Sequence, residues 1–282
     1  MVMRELNKKD IQNILPDRKP DSHKGDYGRI LLLCGSRGYT GAAALAAMGA
    51  LRCGAGLVYL AVPESIYAIE AIKLTEPVVL PMPDENGMYS ANTQVEIAKL
   101  MPKMDAVLIG PGIGCSEGTY LTVKYVLEHF DGPVILDADG INVLQGHIDI
   151  LRGRTNPTIL TPHMGEFMRL GGKATGDRIS AAKHFALETG TILLLKGNKT
   201  VITDGDDIYI NPTGNPGMAV GGSGDVLSGM IAALLGQGIT PVLAAACGAW
   251  LHGAAGDLCA NTIGQYGMVP TDMLQVLPRL LK

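Results

Sequence analysis

Ile30-Leu-Leu-Leu-Cys34 runs directly into Gly35-Ser36-Arg37-Gly38-Tyr39-Thr40-Gly41 and then Ala42-Ala43. An unbroken apolar run with no polar face is predicted to be a strand covered on both sides, and the glycine-spaced turn passes it to a segment with helical spacing over 42–53. The same unit recurs. Leu57-Val-Tyr-Leu-Ala-Val62, Ala106-Val-Leu-Ile109, Val134-Ile-Leu136, Thr158-Ile-Leu160 and Ile192-Leu-Leu-Leu195 are short apolar runs bounded by glycine, proline or aspartate. Helical spacing returns between them over 118–130 and 178–189. This is the βαβ rhythm of an α/β, three-layer fold with a mostly parallel central sheet. Residues 200–203 and 207–210 alternate around Asp204-Gly205, which predicts a tight hairpin and an antiparallel margin. Residues 224–282 read as mostly helical. No linker or internal repeat divides the chain, so residues 1–282 are expected to be a single domain.

Composition narrows the function classes. With 47% hydrophobic residues the chain has ample material for a core, and 37 glycines in 282 residues is nearly twice the usual ~7%. Many close backbone approaches are therefore expected. A formal charge of −4 with 5% aromatics is a poor footprint for nucleic acid. The five cysteines are scattered without C-x-x-C spacing, so neither a disulfide framework nor a zinc site is signalled, and a reducing cytoplasm is expected. The start, MVMRELNKKD, has no apolar stretch of the secretory kind. Residues 41–62 and 243–260 are apolar enough to raise a membrane span. Arg52 and Gly54 break the first, and His252 with its glycines interrupts the second, so buried helices are expected and no membrane partner.

Open parallel sheets bind ligands beyond the carboxyl ends of their strands, which directs attention to the loops after the apolar runs. The loop Gly35–Gly41 has neither G-x-x-x-x-G-K-[ST] nor G-x-G-x-x-G spacing, and alone it reads either as a turn with close helix packing or as a helix start whose Ala42 and neighbouring amides line a ligand. Gly110-Pro-Gly112-Ile-Gly114 allows backbone to approach another group without Cβ interference. Asp137-Ala-Asp139 places two carboxylates at a strand end, for magnesium through water or for capping the following helix. His163 and Glu166 stand three apart and share a face if the segment is helical. Lys196-Gly197-Asn198-Lys199-Thr200 gathers ammonium, free amide and hydroxyl, a set suited to phosphate or to a solvated turn. Gly221-Gly222-Ser223-Gly224-Asp225 precedes a long apolar helix, so unpaired amides and the helix dipole converge on one point. Asp225 is out of place there unless it accepts a proton from an attacking hydroxyl.

Taken together, these segments resemble the NAD(P)H-hydrate dehydratases of the ribokinase-like superfamily. The resemblance spans roughly residues 20–280. It is carried by the order of His23-Lys-Gly25-Asp-Tyr-Gly28, Gly41-Ala42-Ala43, Ile109-Gly-Pro-Gly112-Ile-Gly114, Asp137-Ala-Asp139, Thr161-Pro-His163-Met-Gly-Glu166, Lys196-Gly197 with Thr200, and Gly221-Gly-Ser-Gly-Asp225-Val-Leu-Ser-Gly229. It implies repair of the hydrated cofactors NADHX and NADPHX, with ADP as co-substrate and AMP and phosphate released; eukaryotic members use ATP. Hydroxide leaves poorly, so the C6 hydroxyl is first phosphorylated and phosphate is then expelled. On this resemblance Asp225 is the catalytic base, and Ala42, Gly112, His163 and Asp225 contact the hydrate. Lys196, Gly197, Asn198, Lys199, Thr200 and Gly224 contact the nucleotide, while Gly222, Ser223 and Gly224 form the anion hole. Magnesium is expected with the nucleotide, organised indirectly by Glu166. A homotetramer and a separate NAD(P)HX epimerase are expected as partners. The alternatives are a hydroxymethylpyrimidine-type kinase on the same scaffold, against which His163 in place of asparagine argues, and a nucleotide-binding regulatory module, against which Asp225 argues.

Overall fold

The computed structural model describes residues 3–173 and 176–281. Its strands, in chain order, are β1 (Met3–Glu5), β2 (Arg29–Leu33), β3 (Leu57–Pro63), β4 (Val78–Met82), β5 (Asp84–Glu85), β6 (Met88–Tyr89), β7 (Ala106–Ile109), β8 (Val134–Leu136), β9 (Thr158–Leu160), β10 (Ile192–Leu195), β11 (Thr200–Thr203) and β12 (Ile208–Asn211). All but β5 and β6, which pair as a small ribbon, form a ten-stranded sheet in the order β1-β12-β11-β10-β9-β8-β7-β2-β3-β4. Every neighbouring pair is parallel except those of β11, which runs against both β10 and β12. The antiparallel margin is present, but its outermost strand is β1. The expected two-residue hairpin is wider: Asp204 Oδ1 accepts the amides of Asp206 and Asp207 at 3.0 and 2.9 Å, so a short polar side chain closes a four-residue turn.

Alternation along β2 divides the core. Ile30, Leu32 and Cys34 face one layer with the helices Thr40–Arg52, Ser223–Gly236 and Pro241–Thr262, while Leu31 and Leu33 face the other with Glu117–His129 and Arg178–Thr189. Each such side chain fully withdrawn from water contributes roughly 1.5–3 kcal/mol. The helix Ser223–Gly236 presses unusually close to Thr40–Arg52. A Cβ on Gly229 would stand 2.0 Å from the Ala46 carbonyl oxygen, and one on Gly49 would stand 2.6 Å from that of Val226. Small residues on both helices therefore set where the amino end of Ser223–Gly236 points. The helix Pro241–Thr262 is long and apolar enough to cross a membrane, yet 67% of its apolar window is buried inside the fold.

The chain reverses direction of sheet growth between β2 and β7, and this switch point opens at the carboxyl ends of both strands. His23–Gly28, by contrast, lies at the other end of β2. Gly28, with φ +85°, packs on Gly236, where a Cβ would meet the carbonyl oxygen at 2.4 Å, so this part of the recognised pattern is a packing device.

Candidate active site

Five consecutive strand ends supply the site, and their order in the sheet lays it out. β10 leads to Lys196, β9 to His163, β8 to Asp137, β7 to Gly110–Gly114 and β2 to the turn before Ala42. The two glycine turns lock together: the Gly35 amide donates to the Pro111 carbonyl at 2.8 Å and Ser36 Oγ to the Gly112 carbonyl at 2.7 Å. Gly112 has φ +64°, and a Cβ there would lie 2.8 Å from Ala42 Cβ, so the two residues expected to meet the hydrate are in direct contact.

Asp137 is almost fully buried, and Lys196 Nζ donates to its Oδ1 at 2.9 Å. Lys196 also lies 3.8 Å from Glu166 Oε2, so its ammonium joins two acids rather than standing free in the nucleotide loop. The backbone that presents Asp137 is constrained. Ala138 has φ 49° and ψ −117°, at a cost of about 1–3 kcal/mol, and the next turn holds it through Gly140 N–H to the Asp137 carbonyl at 3.0 Å. Asp139 is occupied differently from either expectation: its Oδ2 accepts the Gly114 amide at 2.9 Å and its Oδ1 the Asn142 side chain at 3.3 Å, joining the β8 and β7 loops.

His163 caps the helix Met164–Arg169 and Glu166 completes a reciprocal capping box. His163 Nδ1 accepts the Gly165 amide at 2.9 Å, and Glu166 Oε2 accepts the His163 amide at 2.8 Å. The imidazole nevertheless remains about half exposed and lines the cavity described below.

At the start of Ser223–Gly236, Gly222 adopts φ +93° and turns the chain into the helix. The Ser223 amide reaches back to the Val220 carbonyl at 3.3 Å, whereas the amides of Gly222, Gly224 and Asp225 meet no acceptor among the described residues. The Asp225 side chain does not cap the helix, and its carboxylate has no hydrogen-bond partner among the described residues. Burial, with the nearby Asp137 charge, pushes its pKa from 3.8 up to about 6, against a smaller lowering by Lys196. A proton acceptor whose pKa lies near neutrality therefore sits among unpaired amides.

A cavity of about 930 Å³ opens beside these amides. One wall is Lys196–Thr200 and the other is the chain from Asn211 to Val220, with Ser223, Gly224 and His252 at the base. Ala42, Gly112, Gly222 and Asp225 lie outside this lining, toward the β2–β7 switch point. Of the second wall, residues 215–220 lead into the glycine-rich segment singled out in the sequence, while residues 211–214 were not among the sequence candidates. The wall is fastened to Pro241–Thr262: Asn211 Nδ2 donates to the Ala249 carbonyl at 3.1 Å, and Asp257 accepts the Gly214 amide and Asn215 Nδ2, both at 3.0 Å. His252, buried and held neutral with its pKa pushed down to about 4 chiefly by burial, lies with Nε2 3.4 Å from Ser223 Oγ. Its signal in the sequence was a histidine in an apolar helix, which had counted only against a membrane span.

The sequence profile of a family described as NAD(P)H-hydrate dehydratase matches residues 30–279. The chain belongs to that family. It is 46% identical over 274 residues to a bifunctional NAD(P)H-hydrate repair enzyme of Moorella thermoacetica, covering 95% of this chain and 52% of the relative. The enzyme of the same description from Escherichia coli is 37% identical over 276 residues, covering 96% and 51%. The chain thus spans about half the length of the curated relatives it matches. Among solved structures, the ADP/ATP-dependent NAD(P)H-hydrate dehydratase of Bacillus subtilis, co-crystallised with ATP and Mg2+, superposes with a TM-score of 0.83 at 34% identity, covering 97% of this chain and 96% of that one. A ribokinase from Thermotoga maritima, at 17% identity and a TM-score of 0.56, shares the fold. In this chain the switch-point turns, the acid–lysine cluster and the amide-rich helix start all lie along the carboxyl ends of the strands.

Proposed function

We propose that this chain is an ADP-dependent NAD(P)H-hydrate dehydratase that converts NADHX or NADPHX and ADP to NADH or NADPH, AMP and phosphate, acting as one catalytic domain over residues 1–282. The observation that carries the reading is Asp225: a half-buried carboxylate without a partner among the described residues, with its pKa raised to about 6, on the helix turn whose Gly222, Gly224 and Asp225 amides are unpaired. Asp225 takes the proton of the hydrate's C6 hydroxyl as that oxygen bonds to the β-phosphorus of ADP and the bond to AMP breaks. The ring nitrogen's electron pair then expels phosphate to leave an iminium, and loss of the C5 proton to the departing phosphate or to water restores the C5–C6 double bond. The amides of Gly222 and Gly224 face the transferred phosphoryl group, and the dipole of the fourteen-residue helix Ser223–Gly236 adds to them. Ala42, Gly112 and His163 hold the hydrate; Lys196, Gly197, Asn198, Lys199, Thr200 and Gly224 hold the nucleotide, with Ser223 completing the anion hole.

Magnesium fits this site as a nucleotide-borne ion. Among the described residues no three His, Cys, Asp or Glu side chains are grouped to hold a metal, and Glu166 is committed to the His163 amide and Lys196. Glu166 would therefore act through water, as is usual where phosphates supply most of the ligands. When bound, the ion neutralises phosphate charge. All five cysteines are free thiols, which supports the cytoplasm as the location. Exposed Ile263, Tyr266 and Val269, between the helices Pro241–Thr262 and Pro270–Val276, support self-association, and the assembly proposed is a homotetramer. A separate NAD(P)HX epimerase is the functional partner this reading calls for.

Incubation with NADHX, Mg2+ and ADP is expected to restore the absorbance of reduced nicotinamide with stoichiometric AMP. A lasting phosphate ester with no restored absorbance would instead identify a kinase.

A further inference from the structure

Arg178 opens the helix Arg178–Thr189 and carries no chemical role in the account above. Its guanidinium lies behind the nucleotide loop. Nη1 donates to the Asn198 carbonyl at 2.8 Å, and Nη2 donates to the carbonyls of Leu195 at 3.1 Å and Lys196 at 3.3 Å. The carbonyl left over, that of Gly197, accepts Thr200 Oγ1 at 2.9 Å. Four consecutive carbonyl oxygens are thereby occupied. The neighbouring acid does not compete for the cation, because Asp177 spends its carboxylate on the amides of Ile179 and Ser180 at 3.3 Å each.

Two physical consequences follow for an anionic ligand. Carbonyl oxygens turned toward a cation are withdrawn from phosphate, which they would repel. In a trans peptide the C=O of one residue and the N–H of the next point in opposite directions, so drawing the Asn198 carbonyl to Arg178 turns the Lys199 amide away from it. That amide has no acceptor among the described residues, and Lys199 lines the cavity. Gly197 completes the arrangement. It has φ +151°, and a Cβ there would stand 2.9 Å from Arg178 Nη2, so only glycine lets the guanidinium come this close.

We propose that Arg178 is the positioning residue of the nucleotide subsite: its planar fork imposes the conformation in which the Asn198 and Lys199 amides and the Lys199 ammonium face a nucleoside diphosphate. The inference rests on the reading of this loop as the nucleotide wall. A lysine cannot replace the fork, since an ammonium delivers its hydrogens from one point and cannot bridge three carbonyls arranged around a plane.

The test uses Arg178→Ala, Arg178→Lys and Gly197→Ala in the full chain, with ADP affinity measured by calorimetric titration beside steady-state kinetics and thermal melting. Each variant is expected to weaken ADP binding and raise the KM for ADP by about tenfold or more, as loss of two to three hydrogen bonds from a charged donor implies. For the two Arg178 variants the KM for the hydrate and kcat at saturating ADP are expected to stay within about threefold, the pattern of lost ground-state binding. An unchanged ADP affinity in a folded variant would overturn the proposal, as would equal losses for ADP and hydrate. Should Arg178→Ala fail to fold, Arg178→Lys and Gly197→Ala decide the matter. If the wild type binds ADP but leaves the hydrate untouched, the dehydratase reading fails, while the ADP titrations still settle the role of Arg178.

Discussion

Asp137 at the end of β8 and Asp225 at the start of Ser223–Gly236 lie close enough for one charge to act on the other and have opposite circumstances. Asp137 is buried and ion-paired with Lys196 at 2.9 Å. Asp225 has no hydrogen-bond partner among the described residues, and the charge of Asp137 is one reason its pKa is raised to about 6. A paired carboxylate is spent on structure, while an unpaired one beside it becomes a base suited to neutral pH, which is how two acids in one site come to divide labour. The strand end supplies the fixed charge and the helix start supplies the proton acceptor.

Breaking the unpaired member has the largest effect. Asp225→Asn is expected to lower kcat by about 10²–10⁴-fold, the range of a lost general base, with ADP affinity within about twofold. The same variant is expected to melt higher near neutral pH. In the folded protein the raised pKa means that ionisation costs stability, absent below about 4 and fully expressed above about 6, so a neutral amide recovers on the order of 1–3 kcal/mol. Urea titrations of both proteins at acid and neutral pH check this sign.

Next in size is the scaffold that aims the helix. Gly229→Ala sets a methyl group against the Ala46 carbonyl oxygen and is expected to cost about 1–3 kcal/mol in chemical denaturation. Smaller, but aimed at the comparison itself, are changes in the paired member. Removing the Asp137 charge in Asp137→Asn favours ionised Asp225, so the acidic limb of kcat/KM, expected near pH 6, moves to lower pH. Lys196→Ala removes a positive charge and moves that limb to higher pH, while weakening ADP binding more than hydrate binding. Limbs that stay in place, or move the other way, would separate the two aspartates electrostatically.

The sheet's centre was legible because a strand buried on both faces must be apolar throughout: β7, β8, β9 and β10 lie where the runs at Ala106, Val134, Thr158 and Ile192 placed them. The margins were not. The three residues of β1 are all exposed, and β4 carries Pro81, which is tolerated at an edge and otherwise argues against a strand. In the site, the amide-rich helix start was legible because glycine spacing is a local property. The pairing of Lys196 with Asp137 spans 59 residues, and the Asp257 clasp on Gly214 spans 43, so neither leaves a trace in local pattern. Arg178 was hidden for a related reason, since its partners are backbone carbonyls, which carry no sequence identity.

The central claim is that the hydrate's own hydroxyl oxygen captures phosphorus before it leaves the ring, and one label decides it. NADHX carrying heavy oxygen at C6 is turned over with unlabelled ADP in unlabelled water, and the phosphate released is weighed by mass spectrometry. The account predicts one heavy oxygen in every phosphate formed with NADH. Phosphate of ordinary mass, with the label in water, would mean that ADP hydrolysis and dehydration run separately and that Asp225 has been given the wrong task.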